Sequence, residues 1–255
     1  MSQPIITPDK FLGHDAPPPE LAGCCLAVVG FCRFRDMQRK LLAEPLPERI
    51  FSHLDEAHQF VAPVQTGRIG DSRILALECL YGGPLSATVM EELAHYGIRR
   101  VVGYGYAGSL TRTVPIGQIV LAETAIVSDG TSREYLPDAN FVYPDSGLAH
   151  QVHERAAKGN VTICGGTVWT TDAIYREYPE KVAQWRRAGA DVVNMDTAHF
   201  YAVSQVVGIS AVYACVVSDC VEGPAWEDGF ARIKQAMSDL QDVIVDVLTE
   251  ISKEA

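Results

Sequence analysis

The stretch VVNMDTAHFYAVSQ (192–205), followed by ACVVSDCVEG (214–223), decides the architecture. A strand ends in Asn194-Met195-Asp196, a helix starts there, and a second hydrophobic run ends in Ser218-Asp219. Two short carboxylates are thus expected at the C-terminal ends of neighbouring buried strands. Open α/β sheets bind ligands at that edge.

Working outward, CCLAVVG (24–30) reads as a first strand, set off from an N-terminal arm (1–22) by Pro17-Pro18-Pro19. A polar, helix-like segment runs from Asp36 to Ala43, and RILALECLY (73–81) reads as a buried strand stopped by Gly82-Gly83-Pro84. Leu85, Val89, Leu93 and Tyr96 keep a helical period that ends at Gly97. Strand RVVGYGYAG (100–108) follows, then IGQIVLAETAIV (116–127), whose alternation predicts an antiparallel or barrel-like continuation. Residues 128–160 read as loop-rich, and NVTICGGTVW (160–169) as another strand. Helices are expected near 178–188 and 197–207. A final helix carries Phe230, Ile233, Met237, Leu240, Ile244, Val247 and Ile251 on one stripe. The alternation of strands and helices predicts one α/β domain (23–255), a mostly parallel or mixed twisted sheet covered by helices on both sides.

The 255 residues suffice for a sizeable core, and 47% apolar with 21% charged residues is ordinary for a globular chain. No apolar run approaches the ~20 residues of a membrane span. MSQPIITPDK has neither a basic region nor a long apolar segment, so no signal peptide is expected. Seven cysteines, Cys24, Cys25, Cys32, Cys79, Cys164, Cys215 and Cys220, are scattered without a CxxC pair or zinc-like spacing. They point to a reducing cytoplasm and to no metal. A net charge of −11 argues against nucleic acid or anionic membrane as partners.

Each acid has two readings. Asp196, just before a helical run, is a favoured N-cap; its carboxylate is also a strong acceptor for two vicinal hydroxyls. Asp219 is either a turn residue after a strand or a general acid. Trp169 is either a core aromatic at a strand end or a stacking platform.

From about residue 10 to 250 the chain resembles the nucleoside phosphorylase and nucleosidase family. GGPLSATVMEEL (82–93) is similar to its Gly-Gly-Pro-Ser turn and helix, and WTTDAIY (169–175) to its aromatic-Ser/Thr-x-Asp-x-Phe-Tyr stretch. NMDTA (194–198) resembles the Glu-Met-Glu motif, with Asn194 and Asp196 in place of the two glutamates. VSDCVEG resembles the purine branch. The resemblance implies cleavage of a nucleoside's N-glycosidic bond. Trp169 would stack on the base beside Thr170, and Met195 and Asp196 would hold the ribose. Ser218-Asp219 would assist the departing base, with Arg232 pairing the acid. Asn194 and Tyr106 are the remaining expected nucleoside contacts.

The nucleophile's site departs from the family pattern. Of the Gly-Asp-Pro-x-Arg loop, FCRFR (31–35) keeps only Arg35, with Arg33 nearby. In GYGYAGS (103–109), Gly103 stands where a second phosphate arginine is usual and Tyr106 at the hydroxyl position, leaving Arg35 and Gly105 as the expected phosphate contacts. His58 stands where a neighbouring subunit usually lends an arginine. The resemblance implies phosphate as co-substrate, no other cofactor, and a homo-oligomer (dimer, trimer or hexamer) whose arm before residue 22 completes a neighbour's site. A nucleosidase using water is the alternative, with His14, His53 or His58 as base, because no glutamate stands near Arg35. A nucleoside-binding protein without catalysis is the second alternative.

Overall fold

A computed structural model of the chain describes residues 4–13, 18–32, 35–45, 51, 64–78, 80, 82–223 and 225–254, the side chains of residues 20, 35 and 45 excepted. At its centre β1 (Leu26–Gly30) is buried at every position, as a strand covered on both faces must be. It runs parallel to β4 (Ser72–Glu78) on one side and to β5 (Arg100–Ser109) on the other. Beyond β4, β3 (Gln65–Ile69) and β2 (Glu44–Pro45) add antiparallel strands.

On the far side of β5 the sheet closes on itself. β5 pairs in parallel with β10 (Ser210–Cys220), and β10 runs antiparallel to β6 (Ile119–Ile126). β6 and β8 (Ile163–Thr170) are parallel, as are β8 and β9 (Val192–Asn194), and β9 returns antiparallel to β5. This ring is the barrel-like continuation that the alternation at 116–127 predicts. Short β7 (Phe141–Val142) and β11 (Glu227–Asp228) hang from β6 and β10. The sheet is mixed, with eleven strands among the described residues.

Helices cover both faces, as expected. On one face Ala27 and Val29 meet Val89, Met90 and Leu93 of α3 (Gly83–His95) and Ala198, Phe200 and Tyr201 of α7 (Thr197–Val207). On the other, Leu26 and Val28 pack with Met37 of α2 (Arg35–Lys40), Leu148 and Val152 of α5 (Ser146–Lys158), and Leu240 and Ile244 of α8 (Lys234–Ile251). α6 (Pro179–Arg187) buries Val182 against a third, smaller cluster. The N-terminal arm is anchored: α1 (Pro8–Leu12) lies against α3, and Leu21 is buried in the core.

Two expectations are corrected. Residues 128–160 are not mainly loop; they form α4 (Gly130–Tyr135), β7 and α5. α5 buries only Leu148, Val152 and Ala156, a thin stripe at four-residue spacing. Its plainer signal is a cap, because Asp145 accepts from the Leu148 N–H at 2.9 Å. Phe230 lies outside the last helix, in a 3₁₀ turn (Phe230–Arg232), and is 49% exposed. Among the described residues no helix is long and apolar enough to cross a membrane, and no cluster of metal-ligating side chains occurs.

Candidate active site

The two acids are brought together by β5 rather than by direct pairing of their strands. β9 and β10 lie on opposite sides of β5, and both reach Gly108, which is in register with Val193 on one side and Asp219 on the other. A Cβ on Gly108 would lie 3.0 Å from Asp219 Oδ2 and 3.3 Å from Val193 Cγ1, so the absence of a side chain there permits the approach. Between Val217 and Asp219 the β5–β10 register slips by one residue, a bulge that re-aims the strand end. The inserted residue is Ser218, whose hydroxyl donates to Asp219 Oδ1 at 2.7 Å.

Asp196 is not the cap of α7, although it stands at the cap position. Asn194 does that work. Its Oδ1 accepts from the backbone N–H groups of Asp196 and Thr197, each at 3.2 Å, and its Nδ2 donates to Thr197 Oγ1 at 2.7 Å. Thr170 adds a further acceptor, its Oγ1 taking the Ala198 N–H at 2.9 Å. Asn194 and Thr170, expected at the nucleoside, thus spend these groups on the helix N-terminus. Asp196 is left free: Tyr213 donates its hydroxyl to Oδ2 at 3.2 Å, while Oδ1 is buried with no partner among the described residues. Burial pushes its carboxyl up to about 8, and the Tyr213 bond only partly offsets this. A buried carboxyl oxygen without a partner is what the hydroxyl of a ligand, able to accept as well as donate, would satisfy.

The same Tyr213 explains the missing arginine. A Cβ on Gly103 would meet Tyr213 Cδ2 at 2.8 Å and Phe200 Cε1 at 3.1 Å; one on Gly105 would meet Tyr213 Oη at 2.3 Å. Aromatic rings therefore fill the space into which a side chain from either position would point. Phe31 adds to them, its ring 5.5 Å from that of Tyr213 and 6.3 Å from that of His199. Arg35 opens α2, but its side chain lies outside the described residues, as do Arg33, His14, His53 and His58.

Asp219 does not meet Arg232. Its Oδ2 accepts from Trp226 Nε1 at 2.8 Å, and Arg232 pairs instead with Glu227 at 3.2 Å. Arg232 lines a separate cavity of about 230 Å³ with Cys220, and neighbouring residues of a strand face opposite ways. Trp226, 61% exposed, carried no sequence signal, because its segment follows the strand without periodicity. Glu177 was missed for the same reason. Partial burial, and next the charge of Asp219, push its carboxyl up to about 7.

Trp169 is 2% exposed and stacks on Trp185, ring centroids 5.8 Å apart. Its core reading holds in this structure, and no open face is left for a base. Tyr106 turns its ring to Phe230, centroids 5.4 Å apart, and packs with the α8 side of the sheet, away from Asp196. Met195 lines a cavity of about 500 Å³ with Gly82, Gly83, Pro84, Gly130, Thr131, Glu134 and Asp172. Met195 directly precedes Asp196 in the chain, while Asp196 itself is not part of the cavity lining.

A closed mixed sheet that carries Asp219 on β10 and, just after β9, Asp196 with a buried unpartnered oxygen next in the chain to the cavity-lining Met195 is an α/β fold with a candidate small-molecule site. The chain belongs to the phosphorylase superfamily, whose family model matches residues 43–251. It is 33% identical over 225 residues to the Acanthamoeba polyphaga mimivirus protein named "Uncharacterized protein R802", covering 87% of this chain and 85% of that one. A DeoD-type purine nucleoside phosphorylase of Caldanaerobacter subterraneus is 28% identical over 141 residues, 53% of this chain and 59% of that protein. In fold, the chain is similar to Toxoplasma gondii purine nucleoside phosphorylase solved with immucillin-H, with a TM-score of 0.76 and 18% identity over 94% of each chain.

Proposed function

We propose that this protein cleaves the N-glycosidic bond of a purine or modified purine nucleoside, releasing the free base. The observation that carries this reading is the buried, unpartnered Oδ1 of Asp196, which follows directly in the chain on Met195, a lining residue of a cavity of about 500 Å³, with Asp219 held across β5. As the bond lengthens, the sugar gains oxocarbenium character and the base gains negative charge. Asp196 hydrogen-bonds the ribose hydroxyls, with Met195 along the sugar. Asp219, oriented by Ser218 and Trp226, passes a proton to the departing base, and Glu177 holds a proton nearby.

Phosphate is the acceptor favoured by kinship with the phosphorylase superfamily, giving ribose 1-phosphate. Hydrolysis is the second reading, favoured by one specific observation: Tyr213 and Phe200 occupy the space a side chain at Gly103 would need. A phosphate dianion wants several charge-assisted donors. We further read the protein as a cytoplasmic homo-oligomer.

The test is base release from a panel of purine and pyrimidine nucleosides, with and without phosphate, resolved by liquid chromatography. Purine release that requires phosphate establishes phosphorolysis; release without it establishes hydrolysis. Tight nucleoside binding with no product under either condition defeats catalysis and leaves a binding protein.

A further inference from the structure

The cavity of about 230 Å³ at the end of β10 is lined by arginines from two separate elements. Arg112 comes from the turn after β5, and Arg232 from the 3₁₀ turn before α8. Buried Cys220 and half-buried Val114 and Ile116 supply much of the apolar lining. Glu222, the acid in contact with Arg112, is already committed. Its Oε2 accepts the Arg112 backbone N–H at 2.6 Å, and its Oε1 pairs with Arg186 at 2.5 Å. The Arg112 guanidinium itself makes no hydrogen bond or ion pair among the described residues. Arg232 gives only Nη2, to Glu227 and to the Asp228 carbonyl, each at 3.2 Å. A guanidinium carries five N–H donors, so most of those on the two side chains are unspent among the described residues.

Among the described residues Glu227 is the one acid in this lining, set against two arginines, in a chain whose net charge is −11. Two like charges lining one cavity repel unless an anion is placed between them. Guanidinium forks match the oxygens of phosphate and sulfate, and apolar walls reduce competition from water. Size limits the ligand as well. Pockets for drug-sized molecules start at about 300 Å³, so this cavity suits a small ion and not a nucleoside. We propose that Arg112 and Arg232 form a binding site for a small tetrahedral oxyanion such as sulfate or inorganic phosphate, separate from the site of glycosidic cleavage. Asp219 and the cavity-lining Cys220 are neighbours on β10 and face opposite ways, which puts the anion across the strand from the acid.

The experiment titrates the nitrogen-15-labelled full chain with sodium sulfate, and in parallel with inorganic phosphate, and follows the backbone amide resonances. Chloride keeps the ionic strength constant, so screening is fixed and only site binding moves the signals. Saturable shifts are expected at Val114, Ile116, Cys220 and Glu227, a readout that needs no variant to fold. Arg112→Gln and Arg232→Gln should each weaken binding about tenfold or more, the worth of one charge-assisted hydrogen bond. Arg68→Gln removes the same charge from an exposed position on β3, at the other end of the sheet, and should leave binding unchanged. Absence of saturable shifts at these residues with either ion overturns the inference, and so does binding left intact by Arg112→Gln or by Arg232→Gln. An equal loss in Arg68→Gln overturns it too, because the anion would then be answering overall charge. None of these outcomes depends on whether a nucleoside is cleaved, so the glycosidic reading stands or falls separately.

Discussion

Replacing Asp196 with asparagine should change how stability depends on pH, and in a direction that is easy to misjudge. The carboxyl is 5% exposed, and its proton is held until about pH 8 in the fold, against an ordinary value of 3.8. The folded-state value is raised, so the neutral form stabilises the native protein. That contribution is whole below about pH 4 and is lost as pH rises towards 8, because the unfolded chain ionises freely while the folded one cannot. A separation of about four pH units at 1.36 kcal/mol each gives about 6 kcal/mol as a ceiling. Relaxation around a buried ion leaves several kcal/mol in practice, so about 3–6 kcal/mol is expected. The amide of the Asp196→Asn variant would still accept from Tyr213 and carries no titration. Urea unfolding of both proteins, without ligand, at pH 5, 6, 7 and 8 measures the difference. Wild type should lose stability relative to Asp196→Asn by about 1 kcal/mol per pH unit, even if the variant starts lower. Parallel profiles across that range would refute the burial argument.

Asp219→Asn should cut turnover by roughly 10²–10⁴-fold with nucleoside affinity broadly kept, measured by steady-state kinetics beside calorimetric binding; unchanged turnover removes its acid role. Arg232→Gln should leave kcat nearly unchanged, because Arg232 is engaged with Glu227, whereas Trp226→Phe, which deletes a donor to Asp219, should lower it. Gly105→Ala should cost about 1–3 kcal/mol by pressing on the Tyr213 hydroxyl, and should weaken ribose binding as well. The check is thermal unfolding paired with KM, and a loss of stability alone would show that Tyr213 does not position Asp196. Trp169→Ala should lower the melting temperature without a selective rise in KM for purines, since its ring is covered by Trp185.

Much of this was legible from residue order. The buried strands, the α3 and α7 helices and the closure of the sheet follow from apolar runs, turn residues and alternation, which depend on local physics. The placement of the two acids near strand ends was legible as well, because each follows an apolar run. What stayed hidden depends on non-local contact. Nothing in NMDTA tells whether Asn194 or Asp196 caps the helix; geometry gives that task to Asn194 and leaves Asp196 free. The covering of Trp169 comes from Trp185, on a different element. Arg232 is near enough in sequence to pair with Asp219, but Asp219 takes the Trp226 N–H and Arg232 pairs with Glu227, contacts that sequence order does not reveal. Tyr213, inside a run of apolar residues, reads as core, and only its reach to Asp196 marks it as part of the site.

Tyr213 also makes the present arrangement hard to reverse. An arginine introduced at position 103 alone would run into the Tyr213 and Phe200 rings. Removing the tyrosine first would strip Asp196 of the hydroxyl that donates to its Oδ2. Each single step passes through a damaged protein, so glycine and tyrosine are entrenched as a pair, and a lineage that carries both is ratcheted away from an arginine-based anion site.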